Sequence, residues 1–272
     1  MKSSKIKNII LFILILVNVF LAAAAITDSV QSKNQRRQEL DGVRAVMEAN
    51  GIRISDAVLN TQGDMEPRSV HRDLDAEKKR VSSVLGGKVS VEDQGGNLMR
   101  YVGDRGTAQF SGTGTIRVEM NKGAVPEGAD LVDTARSFLR KLGIQTSKES
   151  ARVEGGSVEL VCMSGDAEVA NCTVTCTFEN GSLTVQGTRV LTAGKGEPGS
   201  ETSLDFPSIL MRFLEIVRSG GHVCSELLDA ELCYVQNASV SGTGTLTPMW
   251  RLTTDTGTFY LNPATGRQES VV

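Results

Sequence analysis

The side chains best suited to chemistry are two histidines, His71 and His222, and five cysteines, Cys162, Cys172, Cys176, Cys224 and Cys233. Zinc needs three or four ligands brought together, and a hydrolytic triad needs a nucleophile, a histidine and an acid in one place. The two histidines fall in different halves of the chain, which leaves little for either arrangement. His222-Val223-Cys224 offers two ligands, but no second pair follows at ligand spacing, so the tripeptide reads as a strand edge. Neither Gly-x-Ser-x-Gly nor His-Glu-x-x-His occurs. Ser111-Gly112-Thr113-Gly114-Thr115 recurs as Ser241-Gly242-Thr243-Gly244-Thr245, yet neither copy runs into a Lys-Ser/Thr and a helix, as a phosphate-cradling loop must. Acid pairs such as Glu92-Asp93 lie in turn-like contexts and read as solvated charge. The expectation is a binding protein and not an enzyme, with no metal site and no cofactor.

All five cysteines lie in the second half, and their odd number leaves at least one thiol unpaired within the chain. Cys172, Val174 and Cys176 project from one face of a strand, so those two sulfurs share a core without disulfide geometry between them. Disulfides in an exported chain and small buried hydrophobes with reduced thiols are both open readings. Asn171, Asn180 and Asn237 each begin a glycosylation sequon, which would be idle in a bacterium.

A net charge of −3 with acids and bases interspersed argues against a nucleic-acid partner, which favours a clustered basic face. Aromatic residues make up only 4%, with Trp250 the sole tryptophan, so no stacking platform is expected. With 28 glycines and 6 prolines, the composition suits short strands joined by glycine turns.

The stretch that sets the address is Ile9 to Ile26, where Asn18 is the one polar residue. A helix over it is about 27 Å long, against a hydrocarbon thickness of about 30 Å. Lys2, Lys5 and Lys7 precede it and favour the cytoplasmic side, so the remainder of the chain is expected outside the membrane. Ala22 to Ala25 supply small residues for signal cleavage, the rival reading, but the apolar run exceeds the about 7–15 residues of a signal peptide. Either way the rest is exported. Lys33, Arg36 and Arg37, beyond the run, touch lipid head groups or form a solvated helix face.

Three units are expected: a cytoplasmic tip and anchor over 1–27, a first α+β module over 28–125, and a second over 126–272. Helices are predicted over Asp28 to Asn50, Asp73 to Leu85, Ala129 to Leu142 and Phe206 to Val217, each with apolar residues at helical spacing. In the first of these, Leu40, Val43, Val46 and Met47 share a face. Strands are predicted at Ile52 to Ile54, Lys88 to Glu92, Leu98 to Val102, Thr107 to Phe110 and Thr115 to Met120. In the second module they fall at Ser157 to Met163, Val169 to Phe178 and Leu183 to Leu191, with Asn180-Gly181 as a hairpin turn and Gly194 to Ser203 as a polar loop. Pro126-Glu127-Gly128 is the expected boundary. The fold class is therefore α+β, a transmembrane helix followed by two antiparallel meanders packed on helices. The recurring Ser-Gly-Thr-Gly-Thr suggests one design used twice, with chance recurrence of small residues as the alternative.

Lys5 to Phe12 and Leu16-Val17-Asn18-Val19-Phe20-Leu21 resemble the anchor of the YycI proteins of Gram-positive bacteria. The run from Leu246 through Trp250 to Leu252, then Asp255 to Gly266 with Asn262-Pro263-Ala264-Thr265-Gly266, resembles the closing hairpin of YycI and PepSY-type domains. The resemblance covers only the two ends of the chain. It implies a single-pass protein whose outer region contacts a membrane histidine kinase of a cell-envelope two-component system, together with a YycH-like partner. The alternative is a secreted PepSY-like module acting on a wall hydrolase or protease. An amide in mid-span gains by bonding another helix, so Asn18, with Phe20 and Leu21 beside it, is the candidate contact with a membrane partner; a bond from Asn18 to its own backbone is the other reading.

Overall fold

The computed structural model describes residues 37–59, 61, 63–123, 130–196 and 203–271. The anchor run, with Asn18, Phe20 and Leu21, lies outside them. No helix among the described residues is long and apolar enough to cross a membrane. The chain is α+β, as expected, and most of it is sheet.

The helices are α1 (37–49), α2 (Asp56–Leu59), α3 (Leu74–Leu85), α4 (Leu131–Lys141) and α5 (Phe206–Ser219). The last three begin alike. Asp73, Asp130 and Asp205 each stand in extended conformation and accept the backbone N–H of Ala76, Asp133 and Ser208, at 2.9, 2.8 and 3.1 Å. An aspartate cap satisfies one of the N–H groups that a helix start leaves without an internal partner. Gly86 closes α3 in the left-handed region at φ 111°, its N–H bonded to Ser82 O.

Strands β3 (Ser90–Asp93), β4 (Met99–Gly103), β5 (Gly106–Phe110) and β6 (Thr115–Met120) form one antiparallel meander. A second consists of β7 (Arg152–Glu154), β8 (Ser157–Ser164), β9 (Ala167–Glu179) and β10 (Ser182–Thr188). Asn180 at φ 50° and Gly181 at φ 78° make the tight β9–β10 hairpin that Asn-Gly favours. The two meanders are joined edge to edge, because β6 pairs with β10 from Thr115 opposite Thr188 to Met120 opposite Leu183. A helix followed by four strands thus occurs twice, α3 with β3 to β6 and α4 with β7 to β10. Their apolar faces form one core, including Val81, Leu85, Tyr101, Phe110, Val118, Leu139, Leu160, Val174 and Val185.

The second body is built on a long hairpin, β12 (Glu226–Ala238) with β13 (Thr243–Thr254). β13 shares its other edge between β2 (Arg68–His71), at Thr243 to Leu246, and β14 (Thr258–Leu261), at Trp250 to Thr253. β11 (Thr192–Gly196) pairs outside β2, although the sequence reads as a loop from Gly194. β1 (Arg53–Ile54) runs parallel to the start of β12, and β9 meets β12 in parallel at Val169 opposite Tyr234. Antiparallel pairing therefore holds except at those two short junctions. Helices α1 and α5 cover this sheet, and Leu40, Met47, Ile52, Ile209, Phe213, Leu227, Trp250, Leu252 and Leu261 fill the space between.

Residues 124–129, around the expected boundary at Pro126, lie outside those described. The strands before and after it, β6 and β10, are neighbours in one sheet and share one core, while the other core joins residues 40–59 to residues 204–261. The Ser-Gly-Thr-Gly-Thr repeat is likewise out of step with the structure. The β5–β6 turn runs from Ser111 to Thr115 with Gly114 at φ 95°, whereas the β12–β13 turn runs from Ser239 to Thr243 with Gly242 at φ 83°, two residues earlier than the repeat implies.

Trp250 is 3% exposed and packs on Phe206 with ring centroids 4.6 Å apart. Asn262, after β14, accepts from the N–H of Ala264 and Thr265 at 2.9 and 3.2 Å, which is what its Asn-x-x-Thr-Gly turn requires. Trp250→Ala is expected to destabilise the protein by about 3–5 kcal/mol, the usual cost of emptying a large aromatic site. Urea unfolding followed by circular dichroism measures it.

None of the five cysteines is in a disulfide; Cys162, Cys172, Cys176 and Cys233 are buried and Cys224 is half-buried. Burial pushes the thiols of Cys162, Cys176 and Cys233 up to about 12 from 9.0. Their folded pKa is raised, so the stability they contribute is full below about pH 9 and is lost as pH rises toward 12. A colorimetric thiol reagent at pH 8 should titrate Cys224 alone in the native protein and all five thiols in denaturant.

Candidate functional site

Helices α1 and α5 lie beside each other over the second body. Along α1, Leu40, Val43 and Met47 are buried at helical spacing, as expected, but Val46 stays 39% exposed. α5 buries Phe206, Ile209, Leu210, Phe213, Leu214 and Val217, and leaves Met211 41% exposed. Between the two helices runs an open, mainly apolar groove of about 1040 Å³, with Val43, Val46, Pro207, Met211 and Leu214 on its walls. Glu39, Asp205, Arg212, Glu215 and Arg218 line its rim, where Arg212 and Glu215 pair at 2.9 Å.

Gly42, exposed on α1, lines this groove, and a Cβ added there would meet nothing within 4 Å. A glycine inside a helix costs about 1 kcal/mol relative to alanine. Neither its own backbone nor its neighbours require it. The consequence is a helix whose backbone is accessible from the groove, the arrangement by which a second helix approaches closely.

The first body holds a buried ionic cluster that sequence pattern does not show. On α3, Leu74 is 45% exposed while Glu77, one turn on, is 2% exposed. Glu77 Oε1 accepts from Arg72 Nη2 at 2.6 Å and from the Tyr101 hydroxyl at 2.8 Å. Its Oε2 accepts from Arg72 Nε at 3.0 Å and from Arg189. Arg72 also donates to Asn97 and, at 2.9 Å, to Phe110 O, while the Arg189 guanidinium lies 4.7 Å from the Phe110 ring centroid. Burial, reinforced by the hydrogen bond to Glu77, pushes the Tyr101 hydroxyl well above its ordinary range. Burial, with the neighbouring Arg72 and Arg80, lowers the Arg189 guanidinium from its ordinary range against the pull of Glu77. Both carboxylate oxygens of Glu77 are taken up by these donors, and Arg189 Nε is buried without an acceptor, so the cluster is closed around Glu77 and holds the fold.

The residues that sequence suggested for chemistry are dispersed. His71 is exposed on β2, and His222 packs edge-on against Phe259 at 5.4 Å. Among the described residues no group of three or more His, Cys, Asp or Glu is placed to hold a metal. Asn18, Phe20 and Leu21 lie outside the described residues. The groove and the cluster both depend on contacts between distant segments, and no local pattern in the sequence marks either.

No family model matches the chain, and no curated protein matches it. Among solved structures it is similar to an uncharacterized protein from Eubacterium rectale ATCC 33656, at 8% identity and a TM-score of 0.46, over 81% of this chain and 90% of that one.

Removing the Glu77 carboxylate leaves two buried guanidinium groups without their counter-ion. Glu77→Ala should therefore cost about 3–5 kcal/mol, the penalty for breaking a buried pair on one side. The denaturant midpoint, compared with that of an exposed-site variant such as Asp75→Ala, checks this.

Proposed function

We propose that this protein is a membrane-anchored extracytoplasmic accessory regulator that binds a sensor histidine kinase of a cell-envelope two-component system. The single observation that carries the reading is the groove between α1 and α5. It is mainly apolar, open, and lined on one side by an exposed helical glycine, and its α1 wall follows the apolar run after only ten intervening residues, 27–36. A partner helix emerging from the same membrane meets this groove without the protein having to reach far from the bilayer. Asn18, Phe20 and Leu21 supply the contact within the membrane, and the groove supplies the contact outside it. The resemblance of both chain ends to YycI proteins supports the same partner class.

The secreted PepSY-like module is the second reading, favoured by the closing hairpin with its buried Trp250. Retention decides between them: the mature protein in the membrane fraction supports the regulator, and a product in the medium beginning near Ala25 or Ile26 supports the secreted module.

Met211 and Val46 are accessible, so charged replacements there preserve the fold. In cells, Met211→Glu with Val46→Glu should reduce cross-linking to a membrane partner at least fivefold, and Asn18→Leu should reduce it without releasing the protein from the membrane. Equal cross-linking yields from wild type and variants overturn the proposal.

A further inference from the structure

A second concavity lies on the first body, away from the α1–α5 groove. It has a volume of about 620 Å³ and sits where the C-terminal ends of α3 and α4 meet the β4–β5 turn and the end of β6. Val84, Met120 and Phe138 form an apolar floor. Arg105, Lys122 and Lys141 stand around it, and among the described residues Asp104 is the one carboxylate in its lining. Among the described residues none of these three cations makes an ion pair, whereas most exposed arginines on the sheets do. Lys141 also answers the negative end of the α4 dipole, but Arg105 and Lys122 belong to no helix and have no such role.

The cations are held by well-bonded backbone. Arg105 N–H donates to Leu85 O at 3.0 Å, and its aliphatic stem lies over Gly86, where an added Cβ would be 3.6 Å from Arg105 Cγ. Asn121 N–H donates to Arg105 O at 2.8 Å and its side-chain amide to Asp104 O at 3.1 Å, fixing the residue before Lys122. Gly123, after it, donates to Gly181 O at 3.0 Å. Three like charges gathered in a concave, partly apolar site repel one another, and in a chain of net charge −3 they are not a reflection of composition.

We propose that this cleft binds a small phosphate monoester. Among the described residues, three cations and one carboxylate leave the lining at a net charge near that needed by a phosphate monoester, which carries about −1.5 to −2 at pH 7. Asp104 is positioned among them to accept a hydroxyl of the esterified group, and the floor of Val84, Met120 and Phe138 covers its carbon skeleton. A phosphodiester chain, with one charge per phosphate, matches the site less well. The phosphate could arrive free or at the head of a lipid, and the test separates these sources.

Calorimetric titration of the full-length protein in detergent, with inorganic phosphate and with glycerol 3-phosphate, reads binding directly. Glycerol 3-phosphate should bind more tightly than inorganic phosphate. The double variant Lys122→Ala with Lys141→Ala should weaken binding at least tenfold. Lys78→Ala with Lys79→Ala removes the same charge from the exposed side of α3 and should change it less than twofold. Circular dichroism confirms that both variants are folded. Equal losses in the two double variants, or no titration with either soluble phosphate, overturn the proposal. Association with phosphatidylglycerol vesicles that glycerol 3-phosphate displaces supports the cleft with a lipid head as its source. Vesicle association that soluble phosphate leaves unchanged assigns the effect to general surface charge and also overturns it.

Discussion

The carboxylate of Glu77 is the constraint on which the two bodies of this protein depend. Its bonds to Arg72, Arg189 and Tyr101 draw on α3, on the segment between β2 and α3, on the segment after β10, and on β4. A buried charge pair does not of itself favour folding, because desolvating the ions costs as much as their attraction returns. What it does enforce is geometry, since any arrangement that separates these segments leaves ions uncompensated in the core. Arg72 extends that constraint into the second body: its backbone N–H donates to Gly242 O at 2.7 Å, in the β12–β13 turn.

Where the two sheets meet, side chains stand in for backbone. β9 pairs with β10 along its C-terminal half, and near its start it lies against β12. There Asn171 copies a peptide group: its Oδ1 accepts from Gln236 N at 2.8 Å and its Nδ2 donates to Gln236 O at 2.9 Å. Gln236 does the same toward the departing chain, accepting from Leu191 N at 2.8 Å and donating to Arg189 O at 3.2 Å. Unpaired buried backbone groups are expensive, so the strand divergence is stable only because these two amides fill the missing positions. The Ser-Gly-Thr-Gly-Thr turns meet at the same junction. A Cβ on Gly112 would collide with Val240 O of the β12–β13 turn, and Asn97, in the β3–β4 turn, donates to the same Val240 O at 3.1 Å. The small residues Gly112 and Gly242 thus permit close approach between the hairpins.

The division of labour follows from this architecture. The β3–β10 sheet and its two helices form a body closed by the ionic cluster, with cations left over on its surface between α3 and α4. The body built on β12 and β13 leaves an open groove over α1 and α5, near in sequence to the apolar run. Arg72 bonds to both bodies, through its side chain to Glu77 and through its backbone N–H to Gly242 O.

Local pattern determined much of the chain. Apolar residues at helical spacing placed α3, α4 and α5, and period-two alternation with Asn180-Gly181 placed the strands on either side, because these signals act over a few residues. The apolar run behind three lysines determined the expected address in the same way. Only tertiary structure decided which strands are neighbours, so that β6 pairs with β10 across the proline-containing segment and not with a strand near in sequence. It alone made β11 a strand, through pairing with β2, and turned Glu77 inward while Leu74 and Val46 remained outside. The reason is physical: a strand edge or a buried carboxylate is stabilised by a partner far away in the chain, and neither periodicity nor composition carries the identity of that partner.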